Sequence, residues 1–166
     1  MISYDKLKRL LNLLDIAIYK LSTEEFINCS SATVRKMFPS KKVQERQKSG
    51  EWISNYVSLE IMDKLIPVLN REIDSFNNNL LKDNQQSISN GKQIVEVEPE
   101  KYYITDIPNA VLILKHVNIG DIIEWKEDND VVRGLRAAKQ EKFDTVLKER
   151  YSENAAKNSG FKKKDS

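Results

Sequence analysis

Between Gln93 and Arg133 the sequence changes from helical to β-type patterning, and this change constrains the fold more than any other feature. Upstream of it, apolar residues recur at the spacing of amphipathic helices. Within it, short runs rich in β-branched and aromatic residues are interrupted by residues such as Pro99 and Gly120. One chain has to combine long helices with a small sheet, which predicts an α+β fold.

The N-terminal part, residues 1–82, is predicted to be a helical domain. Leucines and isoleucines at 4-3-4-3 spacing predict a helix over residues 4–21. A second stripe predicts a helix over residues 59–81, in which Pro67 should cause a kink or a break. Ser30 or Ser31 and Ser58 are the expected N-caps of helices. A further polar segment should begin at Ser40 and end at Gly50, a natural C-terminal stop.

The second half is predicted to be a small antiparallel β meander or barrel, closed by a C-terminal helix. The polar segment 83–92 is the expected linker to this module, which spans residues 93–151. The closing helix should run over 135–151, and residues 152–166 should be a mobile basic tail. The expected strands are 94–97, 102–105, 111–117, 122–126 and 131–133.

Charge is partitioned along the chain although the net charge is only +2. The segment 93–133 carries nine Asp and Glu against four Lys and Arg, whereas residues 1–50 carry five against ten. Segments of opposite charge attract each other within a molecule or between neighbouring copies. We therefore expect the acidic module to contact a protein surface of positive charge. The expected partner-binding residues are Glu96, Glu98, Glu124, Trp125 and Trp52.

A basic segment over residues 35–48 supports an alternative function. Its only acidic residue is Glu45, and such a segment can neutralise several phosphates of a nucleic acid. The alternative is thus a nucleic-acid-binding regulator. Its expected contact residues are Arg35, Lys36, Lys41, Lys42, Arg46 and Lys48.

No catalytic, metal-binding or cofactor-binding motif is recognisable in the sequence. His116 is the only histidine and Cys29 the only cysteine, so neither has companions at metal-ligand spacing. Glycine-rich phosphate loops are missing. A hydrolytic site at Glu98 and Glu100 has weak support, because Pro99 between them favours a turn. We expect no cofactor, no metal and no enzymatic activity.

These patterns favour a non-enzymatic interaction or assembly protein, an adaptor or connector such as those of virus particles. Its partner is expected to be protein, either further copies of itself or a larger assembly. No run approaches the roughly 18 apolar residues that span a bilayer, and the N-terminus has no clean signal-peptide core. The expected location is the cytoplasm, or the virion if the protein is viral.

Overall fold

The computed structural model describes residues 1–51, 53–126 and 130–161 and has a mixed α+β architecture. Two compact units can be distinguished. The first consists of Met1–Pro39 with Ser54–Lys126, and the second of Ser40–Ile53 with the chain after Lys126. Residues on both sides of the predicted linker 83–92 belong to the first unit, and this segment itself contains a short helix.

The first unit contains most of the elements. Its helices and strands, in chain order, are β1 (Ile2–Ser3), α1 (Asp5–Leu13), α2 (Ser31–Met37), α4 (Leu59–Asp83), α5 (Gln85–Ser89), β2 (Gln93–Val97), β3 (Ala110–Leu114), α6 (Ile119–Ile122) and β4 (Glu124–Trp125), with 3-10 turns at Ile18–Ser22 and Pro99–Lys101. The second unit contains α3 (Lys41–Lys48) and α7 (Asp130–Phe161).

One apolar core joins the helical and the β parts of the first unit. The stripes of α1 and α4 both contribute to it, and so do Leu114 at the end of β3 and Ile122 in α6. Burying a large aliphatic side chain stabilises a fold by about 1.5–3 kcal/mol, so these residues dominate the stability of the unit. The side chains with no exposed surface are Leu7, Leu11, Leu21, Leu65, Leu69, Ile73 and Ile122.

The first helix ends much earlier than the predicted 4–21. Asp15 has a left-handed backbone with φ 55°, and Ile16 N–H donates to Leu11 O at 2.8 Å. Asp15 N–H donates to Asn12 O, which completes a Schellman motif directly after α1. The prediction was wrong beyond this point because the leucine spacing continues through a turn whose left-handed residue is Asp rather than Gly.

Helix α4 is continuous through Pro67, so the alternative of a break at this position is wrong. Proline removes one intrahelical hydrogen bond, and the Pro67 side chain is exposed. The core stripe on either side of it is buried, including Leu65 and Leu69. Packing of this stripe outweighs the lost bond.

The predicted antiparallel meander is replaced by two separate two-stranded sheets. Strands β2 and β3 pair in parallel, from Gln93 opposite Ala110 to Val97 opposite Leu114. Strand β4 pairs antiparallel with the N-terminal β1 instead of with a neighbour in the module. Parallel pairing requires a connection that returns to the starting end of the sheet. Residues 102–105, predicted as a strand, lie in that connection and form a turn.

The C-terminal helix is longer than predicted. Helix α7 begins at Asp130 and ends at Phe161, so the hairpin strand expected at 131–133 is wrong and part of the expected tail is helical. The helix passes through Gly134, where the cost of about 1 kcal/mol relative to alanine is tolerated. The Lys162–Lys164 cluster lies outside the described residues. Among the helices described, none is both long and apolar enough to cross a membrane.

Candidate interaction surface

A cleft of about 490 Å³ opens at the carboxyl ends of the parallel strands β2 and β3. Helix α1 forms one wall, and the residues following each strand form the rest. The carboxyl ends of parallel strands are a common place for ligands in open sheets, because successive connections diverge there. The lining consists of Lys6, Arg9, Leu10, Asn12, Leu13, Glu98, Pro99, Glu100, Tyr103, Lys115, His116, Val117, Asn118 and Asp121.

Two asparagines on α4 hold the backbone that leads from the end of β3 to the floor of the cleft at Val117. Asn77 donates its amide to Leu114 O and accepts from Leu114 N–H, both at 2.8 Å. One heptad earlier, Asn70 makes the same pair of bonds with Val117, at 3.1 and 2.8 Å. Each side-chain amide thus supplies the two hydrogen bonds that a neighbouring strand would supply. These bonds fix the end of β3 and the segment that follows it.

A tight turn shapes the far end of the floor. Asn118 caps α6 by accepting from Gly120 N–H at 2.9 Å, and Asp121 accepts from Asn118 N–H at 2.8 Å. The Asp121 carboxylate is therefore occupied by the backbone. A Cβ at Gly120 would lie 3.2 Å from Asn118 Oδ1, so the turn favours glycine.

Ion pairs connect the two walls. Glu100 accepts from Arg9 at 2.7 Å and lies 3.7 Å from Lys6 Nζ, which ties the turn after β2 to α1. Glu98 pairs with Lys101 at 2.8 Å, and the hydrogen bond from Lys101 lowers the pKa of that carboxyl group. These exposed pairs contribute little to stability and mainly set the orientation of the walls.

Apolar side chains project into solvent at the mouth of the cleft. Tyr103 is 79% exposed and Ile104 81% exposed, although both lie in a defined turn. Tyr103 packs edge-on against Tyr102 at a centroid distance of 5.3 Å, and Tyr102 packs on Phe76 of α4 at 5.8 Å. Tyr103 is therefore connected to the core through Tyr102 and Phe76.

The predicted partner-binding residues fall on two different sheets. Glu96 lies on β2 with an exposed side chain, and Glu98 follows that strand into the cleft. Glu124 and Trp125 lie on β4, where Trp125 is 62% exposed opposite Ile2 of β1. Trp52 lies outside the described residues.

The basic segment 35–48 is divided between two helices and two units. Arg35 and Lys36 form the last turn of α2 in the first unit. In the second unit, the exposed lysines of α3 are Lys41, Lys42 and Lys48. Arg46 forms two hydrogen bonds with the Glu51 carboxylate, through Nε at 2.6 Å and through its second guanidinium nitrogen. Its charge is thus already paired.

The isolated reactive residues are engaged in structural contacts. Burial raises the pKa of the Cys29 thiol, which donates to Leu21 O at 3.4 Å. His116 was predicted to pack on a strand face, but it is exposed after β3 and pairs with Asp74 at 2.7 Å. Within the described ranges, no group of three or more His, Cys, Asp and Glu side chains is placed to hold a metal ion.

Sequence reasoning missed Tyr103 and Ile104 as surface residues. Their run of β-formers predicts a strand, although Pro99 and Pro108 on either side of it are typical of a connection. No protein-family profile, curated protein or solved structure matches the chain.

Proposed function

We propose that this chain is a non-enzymatic interaction protein, an adaptor or connector that joins copies of itself or a larger assembly through charge-complementary contacts. The observation that carries the proposal is the exposed pair Tyr103 and Ile104, of which Tyr103 lines the cleft and packs against Tyr102. Large aromatic side chains supply much of the binding energy at protein interfaces. Surface apolar residues that are both anchored and exposed favour contact with another protein over solvent.

The surroundings of this pair favour a basic partner. The exposed carboxylates of this module include Asp106 in the same connection and Glu96 on β2, whereas the charges of Glu98 and Glu100 in the adjacent cleft are already paired with basic side chains. Exposed carboxylates attract cationic surfaces and repel acidic ones, which gives specificity and raises the association rate. An apolar centre within a polar rim is the arrangement expected of such an interface.

Light scattering at several salt concentrations tests this proposal. At low salt we expect self-association, or capture of a basic protein partner in pull-down experiments. The association should weaken at high salt, because the screening length falls from about 10 Å at 0.1 M to about 3 Å at 1 M. A strict monomer at high protein concentration, with no partner recovered at any salt, would contradict it.

A nucleic-acid-binding function is the second candidate, favoured by the exposed lysines of α3. Glu45 is the only acidic residue in the sequence from Lys41 to Lys48. If they contact phosphates, duplex DNA should bind at low salt and the affinity should fall steeply as salt rises. Replacing Lys41 and Lys42 by alanine should reduce the slope of that dependence by about two. No binding of duplex DNA at low salt removes this candidate.

A further inference from the structure

The parallel register determines which backbone groups of β2 remain open. Gln93 N–H donates to Asn109 O, and Lys115 N–H donates to Val97 O, both at 2.9 Å. In a parallel pair the N–H and C=O of one residue point to the same side, and alternate residues face the partner strand. The odd-numbered residues of β2 therefore face β3, and the even-numbered residues face away from it.

Ile94 and Glu96 consequently present two N–H and two C=O groups along the outer edge of β2. Among the residues that the structure describes, no hydrogen bond occupies these groups. Ile94 is 48% exposed, so the edge is accessible. The opposite edge of the sheet differs, because Asn77 already occupies both backbone groups of Leu114. An edge strand of this kind can pair with another extended chain.

We infer that the outer edge of β2 accepts an extended basic segment of a different protein as a third strand. The inference rests on the proposed function and specifies how the acidic module binds its partner. Side chains alternate along a strand, so Ile94 and Glu96 lie on one face of β2. A lysine or arginine opposite Glu96 forms a favourable cross-strand pair. Residues of the added strand on the other face would extend the apolar row of Val95 and Val97.

Charge and conformation argue against two segments of a second copy of this chain as the occupant. Pairing β2 with another β2 brings glutamates together, and like charges opposite each other destabilise a sheet. The basic residues of segment 35–48 lie in α2 and α3, where the backbone bonds within the helix. The occupant is therefore an extended segment with cationic residues at alternate positions.

A short peptide tests the inference on the full chain. The probe is fluorescently labelled Lys-Val-Lys-Val-Lys-Val with blocked termini, and its binding is followed by fluorescence anisotropy at low salt. We expect Ile94→Pro to weaken binding about tenfold, since it removes an outward N–H and hinders pairing at that edge. The control Ile94→Val keeps the N–H and should bind within about twofold of the native chain.

A second arm keeps the test decisive if Ile94→Pro fails to fold by circular dichroism. The same peptide, N-methylated at the residues that face β2, should bind the native chain about tenfold more weakly. A peptide with the same composition in blocks, three lysines and then three valines, should also bind more weakly. Equal binding of the methylated and unmethylated peptides overturns strand addition.

The outcomes separate this inference from the proposed function. If the peptides fail to bind, or bind without regard to the edge, while light scattering shows salt-sensitive association, only strand addition is wrong. If the chain is also a strict monomer that recovers no partner, the proposed function fails as well. If Ile94→Pro no longer binds the peptide, and the native chain no longer binds the methylated peptide, both strand addition and the proposed function are supported.

Discussion

At Asn77 a side-chain amide completes the hydrogen bonding of a strand. The residue is buried in the core stripe of α4, at a position where the sequence pattern favours an apolar residue. Its two bonds to Leu114 explain why the asparagine is needed there, since a buried backbone group without a partner costs about 1–3 kcal/mol. Single-sequence reasoning could not assign this role, because it depends on where β3 lies.

Asn77→Leu should destabilise the first unit by about 2–4 kcal/mol. Leucine has a similar volume, but it leaves Leu114 N–H and C=O unpaired in the core. The midpoint of urea denaturation measures the effect. The matched control is Asn78→Leu at the exposed neighbouring position, where we expect a change within about 0.5 kcal/mol. Equal midpoints for the two variants would show that the amide is dispensable.

Tyr4 should make the stability sensitive to alkaline pH. Its hydroxyl donates to Asn55 O at 3.0 Å, and burial raises its pKa above the ordinary value of 10.0. A raised folded-state pKa means that this contribution is complete below pH 10 and is lost as pH rises through the folded value. Burial also raises the pKa of Cys29, so its contribution to stability is lost in the same direction. The native chain should therefore lose stability as the pH becomes alkaline.

The variant Tyr4→Phe separates the contribution of Tyr4 to this alkaline loss of stability from the contributions of other groups. At pH 7 we expect the variant to be less stable by about 1 kcal/mol, because one buried hydrogen bond is lost. Between pH 9 and about pH 11 its stability should fall less steeply than that of the native chain. Urea titrations at several pH values measure both slopes. Parallel slopes would show that Tyr4 does not titrate with folding.

Helix boundaries divide into those set locally and those set by tertiary contacts. The predicted caps were Ser30 or Ser31 for α2 and Ser58 for α4, and Ser30 and Ser58 each accept the N–H of the third residue of their helix. Ser40, predicted to begin the next segment, caps α3 in the same way. Gly50 was predicted as a stop and has φ 88° two residues after the end of α3. These predictions are confirmed because caps depend on a few adjacent residues.

The pairing of the strands in the two sheets could not be predicted from adjacent residues in the same way. A run of β-formers indicates a strand, but it does not specify the partner or the direction of pairing. Strand β4 pairs with β1 at the opposite end of the sequence, and β2 pairs with β3 across a connection of twelve residues, 98–109. Both pairings depend on how α4 and the core position the strands, and the candidate cleft depends on them in turn.

Ser58→Ala should destabilise α4 by about 1 kcal/mol. The Ser58 hydroxyl accepts from Ile61 N–H, and alanine leaves this first-turn donor without a side-chain partner. The control Ser75→Ala lies at an exposed interior position of the same helix, where alanine should be neutral or slightly stabilising. Thermal denaturation of both variants gives the comparison. A smaller loss for Ser58→Ala than for Ser75→Ala would contradict the cap.

Two properties of the whole chain favour a protein partner, namely the charge partition along the sequence and one exposed pair, Tyr103 and Ile104. The sequence predicted an acidic module from its composition, and the structure places its glutamates at a cleft and at an open strand edge. It could not predict that Tyr103 and Ile104 project from that module. Their exposure follows from the parallel crossover, which turns the predicted second strand into a surface connection.

Sedimentation velocity at low salt tests whether this exposed surface is the one that contacts protein. Tyr103→Ala should weaken the association of the chain with itself, or with the basic partner that it captures, by about tenfold, as expected for an aromatic residue at the centre of an interface. The matched control is Tyr19→Ala, which removes a tyrosine of similar exposure, 69%, from the 3-10 turn after α1. We predict loss in Tyr103→Ala alone. An equal effect in both variants, or no effect in either, would contradict the account.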